Sequence, residues 1–318
     1  MRSVFLDFGS VSTGDDLDIA ALRQLLPGLQ VYDVTTENQV DERIAGCHVV
    51  LCNKAEITRS RIEGNPQLKL VALTATGVNN VDLAAAREAG VAVCNIRDYC
   101  TPSVVQHVFA TLLSLTHSIR QYDEALKRGE WQKGEQFTLL NFPVRELAGR
   151  TMGIVGFGVL GRAVARVAEA FGMQVLVARR PGAPAEPGRI ELDELLPQVD
   201  VLSLHCPITE HTRGMIGAAQ LAHMKQDAVL INTARGGLVD AEALAEALRA
   251  GRLGGAAIDV LVQEPPVDGN PLLAPDLSNL IVTPHTAWAA KESRQRAIDE
   301  LASNVGDFFA GGQRGRVV

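Results

Sequence analysis

Two groups of residues in this 318-residue chain have the types and spacing to do chemistry. The first is Gly156, Gly158 and Gly161, a Gly-x-Gly-x-x-Gly turn that follows the apolar run 153–155 and opens an Ala/Val-rich helical pattern. Gly156 permits a tight turn, Gly158 lets the backbone approach a pyrophosphate, and Gly161 lets the helix pack close to the strand. The N–H groups of the first helical turn, around Val159 and Leu160, would meet the anion at the positive end of the helix dipole. Such a glycine pattern is weak by itself. The strand before it and the helix after it supply the context of a dinucleotide site, and a turn without a ligand is the competing reading.

The second group is spread along the chain. Arg235 stands in Asn-Thr-Ala-Arg-Gly-Gly (232–237), Glu264 follows Asp259 and precedes two prolines, and His285 stands in Thr-Pro-His-Thr-Ala-Trp (283–288). Each segment ends a strand-like run, and ligands of doubly wound sheets bind outside the carboxyl ends of strands. An arginine, an acid and a histidine at three such ends make a candidate catalytic trio in one cleft. Taken singly, each has a plainer reading: a surface arginine in a glycine turn, a loop carboxylate, a buried and hydrogen-bonded histidine.

Holding these groups in place requires a parallel α/β scaffold. Strand-like runs lie at 4–6, 49–52, 70–73, 91–94, 153–155, 175–177, 201–204, 229–232 and 256–259. Amphipathic patterns such as 17–26, 84–88 and 160–171 separate them. Apolar strands alternating with helices imply parallel sheets covered on both faces, and so many strands imply two sheets. Asp82 and Asp240 stand where helix N-caps belong. Thr101-Pro102 opens a long helix expected to run to about 128, and another is expected at about 291–309. The stretch 181–188 reads as a surface loop.

The strand at 175–178 delivers Arg179 and Arg180 to the position where a dinucleotide site meets the adenosine ribose. An acid there would bind the 2′-hydroxyl of NAD, whereas arginine suits a 2′-phosphate. The expectation is therefore NADP(H) preferred, with NAD(H) possible. A solvated pair of loop arginines is the alternative.

Composition narrows the remaining classes. A net charge of −7 with scattered Lys and Arg gives no basic track for nucleic acid and no attraction to anionic membranes. Asp7 and the lack of a long apolar run near Met1 argue against a secretory leader, and no membrane span is visible. Cys47, Cys52, Cys94, Cys100 and Cys206 form no CxxC pair and are an odd number, which reads as reduced thiols in a cytoplasm. Cys and His do not cluster at ligand spacing, so no metal is expected.

Several segments together resemble the D-isomer-specific 2-hydroxyacid dehydrogenases, nearest the glycerate dehydrogenases and hydroxypyruvate (glyoxylate) reductases. They are 75–82 (Ala-Thr-Gly-Val-Asn-Asn-Val-Asp), 101–108 (Thr-Pro-Ser-Val-Val-Gln-His-Val), the glycine turn, 205–209 (His-Cys-Pro-Ile-Thr), 232–236, Glu264-Pro265 and 284–288. The resemblance spans essentially the whole chain. It implies two doubly wound parallel-sheet domains: a flavodoxin-like substrate domain from 1–99 plus 287–318, and a Rossmann cofactor domain at 100–286.

The resemblance also implies roles. Arg235 would hold the substrate carboxylate and keto oxygen, His285 would be the acid/base, and Glu264 would partner the histidine. The backbone of Thr76, Gly77 and Val78 would cradle the carboxylate, and Lys54 stands near that site or is simply solvated. Asp259 would face the nicotinamide carboxamide. Cys206, Pro207 and Thr212 would line the adenine and ribose side, with Thr233, Ala234 and Ala287 also at the cofactor. A homodimer is expected from the resemblance and from the apolar helix at 104–115. A nucleotide-sensing regulator on the same fold, or a formate or phosphite dehydrogenase, remains an alternative; the chain has no partner-binding insert or long disordered tail.

Overall fold

A computed structural model describes every residue except Ala183 and Ala185. The chain divides into two compact units, Met1–Cys100 with Trp288–Val318, and Thr101–Ala287. The first unit is built on β1 (Ser3–Phe5), β2 (Leu29–Val31), β3 (Val49–Cys52), β4 (Leu70–Leu73) and β5 (Ala92–Cys94). They run parallel in the order β2-β1-β3-β4-β5. Successive side chains of a strand point to opposite faces. Phe5, Leu51, Leu70 and Ala72 therefore share one core with Ala297, Ile298, Leu301 and Val305 of the helix Lys291–Phe309. Val4, Val50, Val71 and Leu73 share the other with Val40, Ile44 and Ile62.

The second unit is built on β6 (Thr151–Val155), β7 (Gln174–Val177), β8 (Val201–Leu204), β9 (Val229–Asn232), β10 (Gly255–Ile258) and β11 (Leu280–Val282). These are also parallel, in the order β11-β10-β9-β8-β6-β7. Leu202, Leu204, Leu230, Ala256 and Ile258 form its core with Leu221, Leu244 and Leu248 of the covering helices.

One strand was not among the expected runs, Leu29–Val31; Leu280–Val282 is the strand-like run expected just before the His285 segment, and both are sheet edges. Leu29–Val31 has a single paired neighbour and carries the exposed Gln30, so it shows no continuous apolar run. The expected helix at 101–128 is two helices, Thr101–Thr116 and Ile119–Lys127. Ser118 between them is left-handed, with φ 50. Its hydroxyl donates to Pro143 O at 2.7 Å, and Arg145 N–H donates to Thr116 O at 2.9 Å. The segment near 145 thus takes over hydrogen bonding at the point where the helix stops. Asp82 and Asp240 cap their helices, accepting from Ala85 N at 2.8 Å and Ala243 N at 3.1 Å. The loop expected at 181–188 contains Ala183 and Ala185, which lie outside the described residues; Pro181 and Gly182 before them form a turn. Among the described residues no helix is long and apolar enough to cross a membrane.

Candidate active site

The glycine turn lies between β6 and the helix Val159–Ala170. Gly156 has φ +93, and a Cβ there would fall 2.6 Å from the His205 carbonyl. A Cβ on Gly161 would fall 2.1 Å from Gly156 O. Both positions therefore demand glycine for packing within the protein. Gly158 differs: a Cβ there would meet nothing within 4 Å. Gly158 is the helix N-cap and offers no side chain to its free N–H groups. Open space in front of uncapped N–H groups suits an anion.

The segment after β8 lies against this turn. His205 Nε2 lies 2.8 Å from Ser203 Oγ, and burial pushes the ring pKa down to about 4. Burial likewise pushes the Cys206 thiol up to about 11, so neither group carries charge near neutrality. The Thr212 hydroxyl donates to Pro207 O at 2.8 Å and accepts from Thr209 N at 2.7 Å, which closes the loop on itself. After β9, the buried Asn232 staples the next turn: its Oδ1 accepts from Ala234 N at 3.0 Å and its Nδ2 donates to Arg235 O at 2.9 Å. Asn232 belongs to the motif read from the sequence, but that reading gave it no role. The Thr233 hydroxyl is buried without a hydrogen-bond partner. An unsatisfied buried hydroxyl invites a ligand atom.

Arg235 is exposed, and its guanidinium donates to Ala234 O at 2.7 Å. The neighbouring Gly236 permits the approach of another segment, since a Cβ there would fall 2.1 Å from the Leu261 carbonyl carbon. That contact sets the Leu261–Glu264 turn beside Arg235. Glu264 then makes two contacts: Oε1 accepts from Leu261 N at 2.7 Å, and Oε2 lies 2.6 Å from His285 Nδ1. An ionised carboxylate only accepts, so Nδ1–H of His285 donates and Nε2 is the other ring nitrogen. The arginine turn, the acid and the histidine are thus adjacent within one unit.

His285 itself is left-handed, with φ 55, and its N–H donates to Asp259 O at 2.8 Å. The Asp259 side chain, 2% exposed, accepts from Thr286 N at 2.8 Å, Ala287 N at 2.9 Å and Thr283 Oγ1 at 2.6 Å. All of these donors belong to the histidine's own loop. His107 Nε2 approaches Thr283 Oγ1 at 3.1 Å from the helix Thr101–Thr116. The sequence reading assigned no role to Thr283 or His107; their partners lie 24 and 176 positions away.

At the end of β7, Arg179 does not stand alone. Its Nε lies 2.5 Å from Glu191 Oε1, while Arg180 is exposed. In the first unit, Lys54 is exposed on a loop whose backbone is tied to Asp7. The Thr76–Val78 loop is held separately, with Asn95 Nδ2 donating to Thr76 O at 2.7 Å. Asn80 links the two loops by donating to Ala55 O at 3.0 Å.

Comparison with known proteins agrees with this architecture. Residues 109–287 match the NAD binding domain of the D-isomer specific 2-hydroxyacid dehydrogenases. The chain is 46% identical over 281 residues to a glycerate dehydrogenase of Methylorubrum extorquens, covering 88% of each. It is 37% identical over 318 residues to a hydroxypyruvate reductase of Blautia hydrogenotrophica, covering 98% of each. The crystal structure of the TT0316 protein of Thermus thermophilus superposes with a TM-score of 0.87 at 34% identity, covering 100% of both chains. The chain belongs to the D-isomer specific 2-hydroxyacid dehydrogenases, a family of nicotinamide-dependent oxidoreductases.

Proposed function

We propose that this dehydrogenase reduces a small 2-keto acid of the hydroxypyruvate or glyoxylate type to its D-2-hydroxy acid, with NADPH preferred and NADH accepted. The observation that carries the reading is the 2.6 Å contact of His285 Nδ1 with Glu264, on a loop beside the Arg235 turn. The open face of Gly158 and the partnerless Thr233 hydroxyl fit a dinucleotide, held by Gly156–Gly161, Thr233 and Ala234. When bound, the dihydronicotinamide supplies a hydride to the keto carbon. Arg235 binds the substrate carboxylate with its planar fork and stabilises the charge growing on the oxygen. The proton on His285 Nε2 passes to that oxygen, while Nδ1–H stays with Glu264 and keeps the ring in one orientation. The backbone of Thr76, Gly77 and Val78 is assigned to the carboxylate as well.

The same reading assigns a homodimer. Val104, Val108, Phe109 and Leu112 of the helix Thr101–Thr116 are buried in their own unit, Phe109 stacking on Phe171. Among the exposed apolar residues, Trp131, Phe137, Leu140 and Val144 fall together on one segment without helix or strand. The five free thiols are compatible with a cytoplasmic setting.

The test is a panel of 2-keto acids against NADPH and NADH, followed at the nicotinamide absorbance. Turnover is expected on the small acids, and His285→Ala should lower it by about 10²–10⁴-fold while cofactor binding survives. Near-parental turnover in the variant removes His285 from the mechanism. Absence of turnover on every keto acid removes the reading itself.

A further inference from the structure

The sequence offers two arginines and no acid directly after β7, yet the fold brings an acid to that place. Ala178 and Ile190 form a parallel bridge, with Arg179 N–H donating to Ile190 O at 2.7 Å and Ile190 N–H to Val177 O at 3.0 Å. Ala178 and Ile190 both pack on the core of the second unit. Side chains alternate along extended backbone, so Arg179, Arg189 and Glu191 fall on the opposite face. There Arg179 Nε and Glu191 Oε1 are 2.5 Å apart. The Arg189 guanidinium stands 4.6 Å from the ring centroid of Phe157, the residue between Gly156 and Gly158, and 3.6 Å from Glu186. This charged face therefore adjoins the glycine turn.

The Arg179–Glu191 contact is not a rigid clamp. The two charges are close, but the Nε–H is not directed at the carboxylate. Their side chains are 29% and 50% exposed, so the pair contributes little to stability and Glu191 is open to a ligand.

We propose that Glu191 is a specificity-determining residue for the adenosine ribose, acting against Arg179. Its carboxylate accepts from a free 2′-hydroxyl and repels a 2′-phosphate, as an acid directly after this strand does in NAD sites. Arg179 donates to a 2′-phosphate through its remaining N–H groups. Two opposed readers in contact make a site for both cofactors, and the excess of arginine over acid at 179, 180 and 189 leans it toward NADPH. The inference rests on the cofactor site assigned under the proposed function.

The experiment is a fluorescence titration giving Kd for NADPH and NADH in the parent, Glu191→Gln and Arg179→Gln. Glu191→Gln should raise the preference for NADPH over NADH by about 5–10-fold, the effect of one partly screened charge, and Arg179→Gln should lower it by a similar factor. Opposite signs support the proposal. A glutamate that merely orients Arg179 moves both variants the same way, toward weaker NADPH binding, and that result overturns it. So does an unchanged ratio in Glu191→Gln. Failure of the parent to bind either cofactor overturns the cofactor site itself; binding of both with no opposed shift overturns the role of Glu191 alone.

Discussion

The loop that carries Lys54 and the loop that carries His285 are each pinned by one buried aspartate just beyond a central strand. Asp7, beyond β1, accepts from the backbone N–H of Asn53 at 2.8 Å, Lys54 at 2.6 Å and Ala55 at 2.9 Å. Asp259, beyond β10, accepts two backbone N–H groups and the hydroxyl of Thr283. The difference lies behind the anchor. The Asp7 carboxylate accepts only backbone N–H groups, and its loop is tied further by Asn53 to Ser10 and by Asn80 to Ala55 O. Asp259 also accepts the Thr283 hydroxyl, which meets His107 and so ties the loop to the helix Thr101–Thr116. The two loops also differ in backbone strain. His285 is left-handed, which costs a non-glycine residue roughly 1–2 kcal/mol. The Lys54 loop has no residue in that region of backbone space. A strained loop needs more ties to hold one conformation, and the proton transfer proposed for His285 requires one.

The largest expected effect comes from Asp259→Ala. It strands two N–H groups and a hydroxyl at a site 2% exposed, each at about 1–3 kcal/mol. Urea unfolding should show a loss of about 3–5 kcal/mol, with kcat falling because His285 is no longer held. Parental stability and turnover would mean that Asp259 is not the anchor of this loop.

Asp7→Ala should do less. Three N–H groups lose their acceptor, but at a site 8% exposed, where water can replace part of the bonding. About 2–3 kcal/mol of stability should go. The resemblance places Lys54 near the substrate carboxylate and gives it no part in proton transfer, so KM should rise more than kcat falls. A kcat loss as deep as that of Asp259→Ala would erase the distinction between the two loops.

Much of this scaffold is legible in the sequence because it rests on local signals. The central strands are continuous apolar runs, the helix caps are aspartates at the right offset, and the glycine turn follows a strand. What escaped depends on partners far along the chain. Asp7 reads only as a charge near the N-terminus, and its three donors lie 46–48 positions away. An acid directly after an apolar strand run is the one signal that could have marked it. Glu191 reaches Arg179 only through the bridge at Ile190, and the break at Ser118 depends on Pro143 and Arg145. No periodicity within a helix or strand encodes these meetings.

The smallest effect, and the sharpest test of the difference between the loops, is Thr283→Val. Valine has nearly the shape of threonine, so the change removes a hydroxyl and leaves little cavity. The Thr283 hydroxyl donates to Asp259 Oδ1, so its hydrogen is committed there and His107 Nε2 donates to the hydroxyl oxygen. Without the hydroxyl, Asp259 keeps Thr286 N–H and Ala287 N–H. His107 Nε2 already lies 3.8 Å from Asp259 Oδ1 and can turn to it directly. The net loss should therefore be near that of one hydrogen bond, about 1 kcal/mol, with kcat down by roughly 3–5-fold and KM unchanged. Because both residues act through one hydroxyl, adding His107→Phe to Thr283→Val should cost less than the sum of the single changes. Additive losses in stability and kcat would show that His107 does not work through Thr283, and the second loop would then be held as simply as the first.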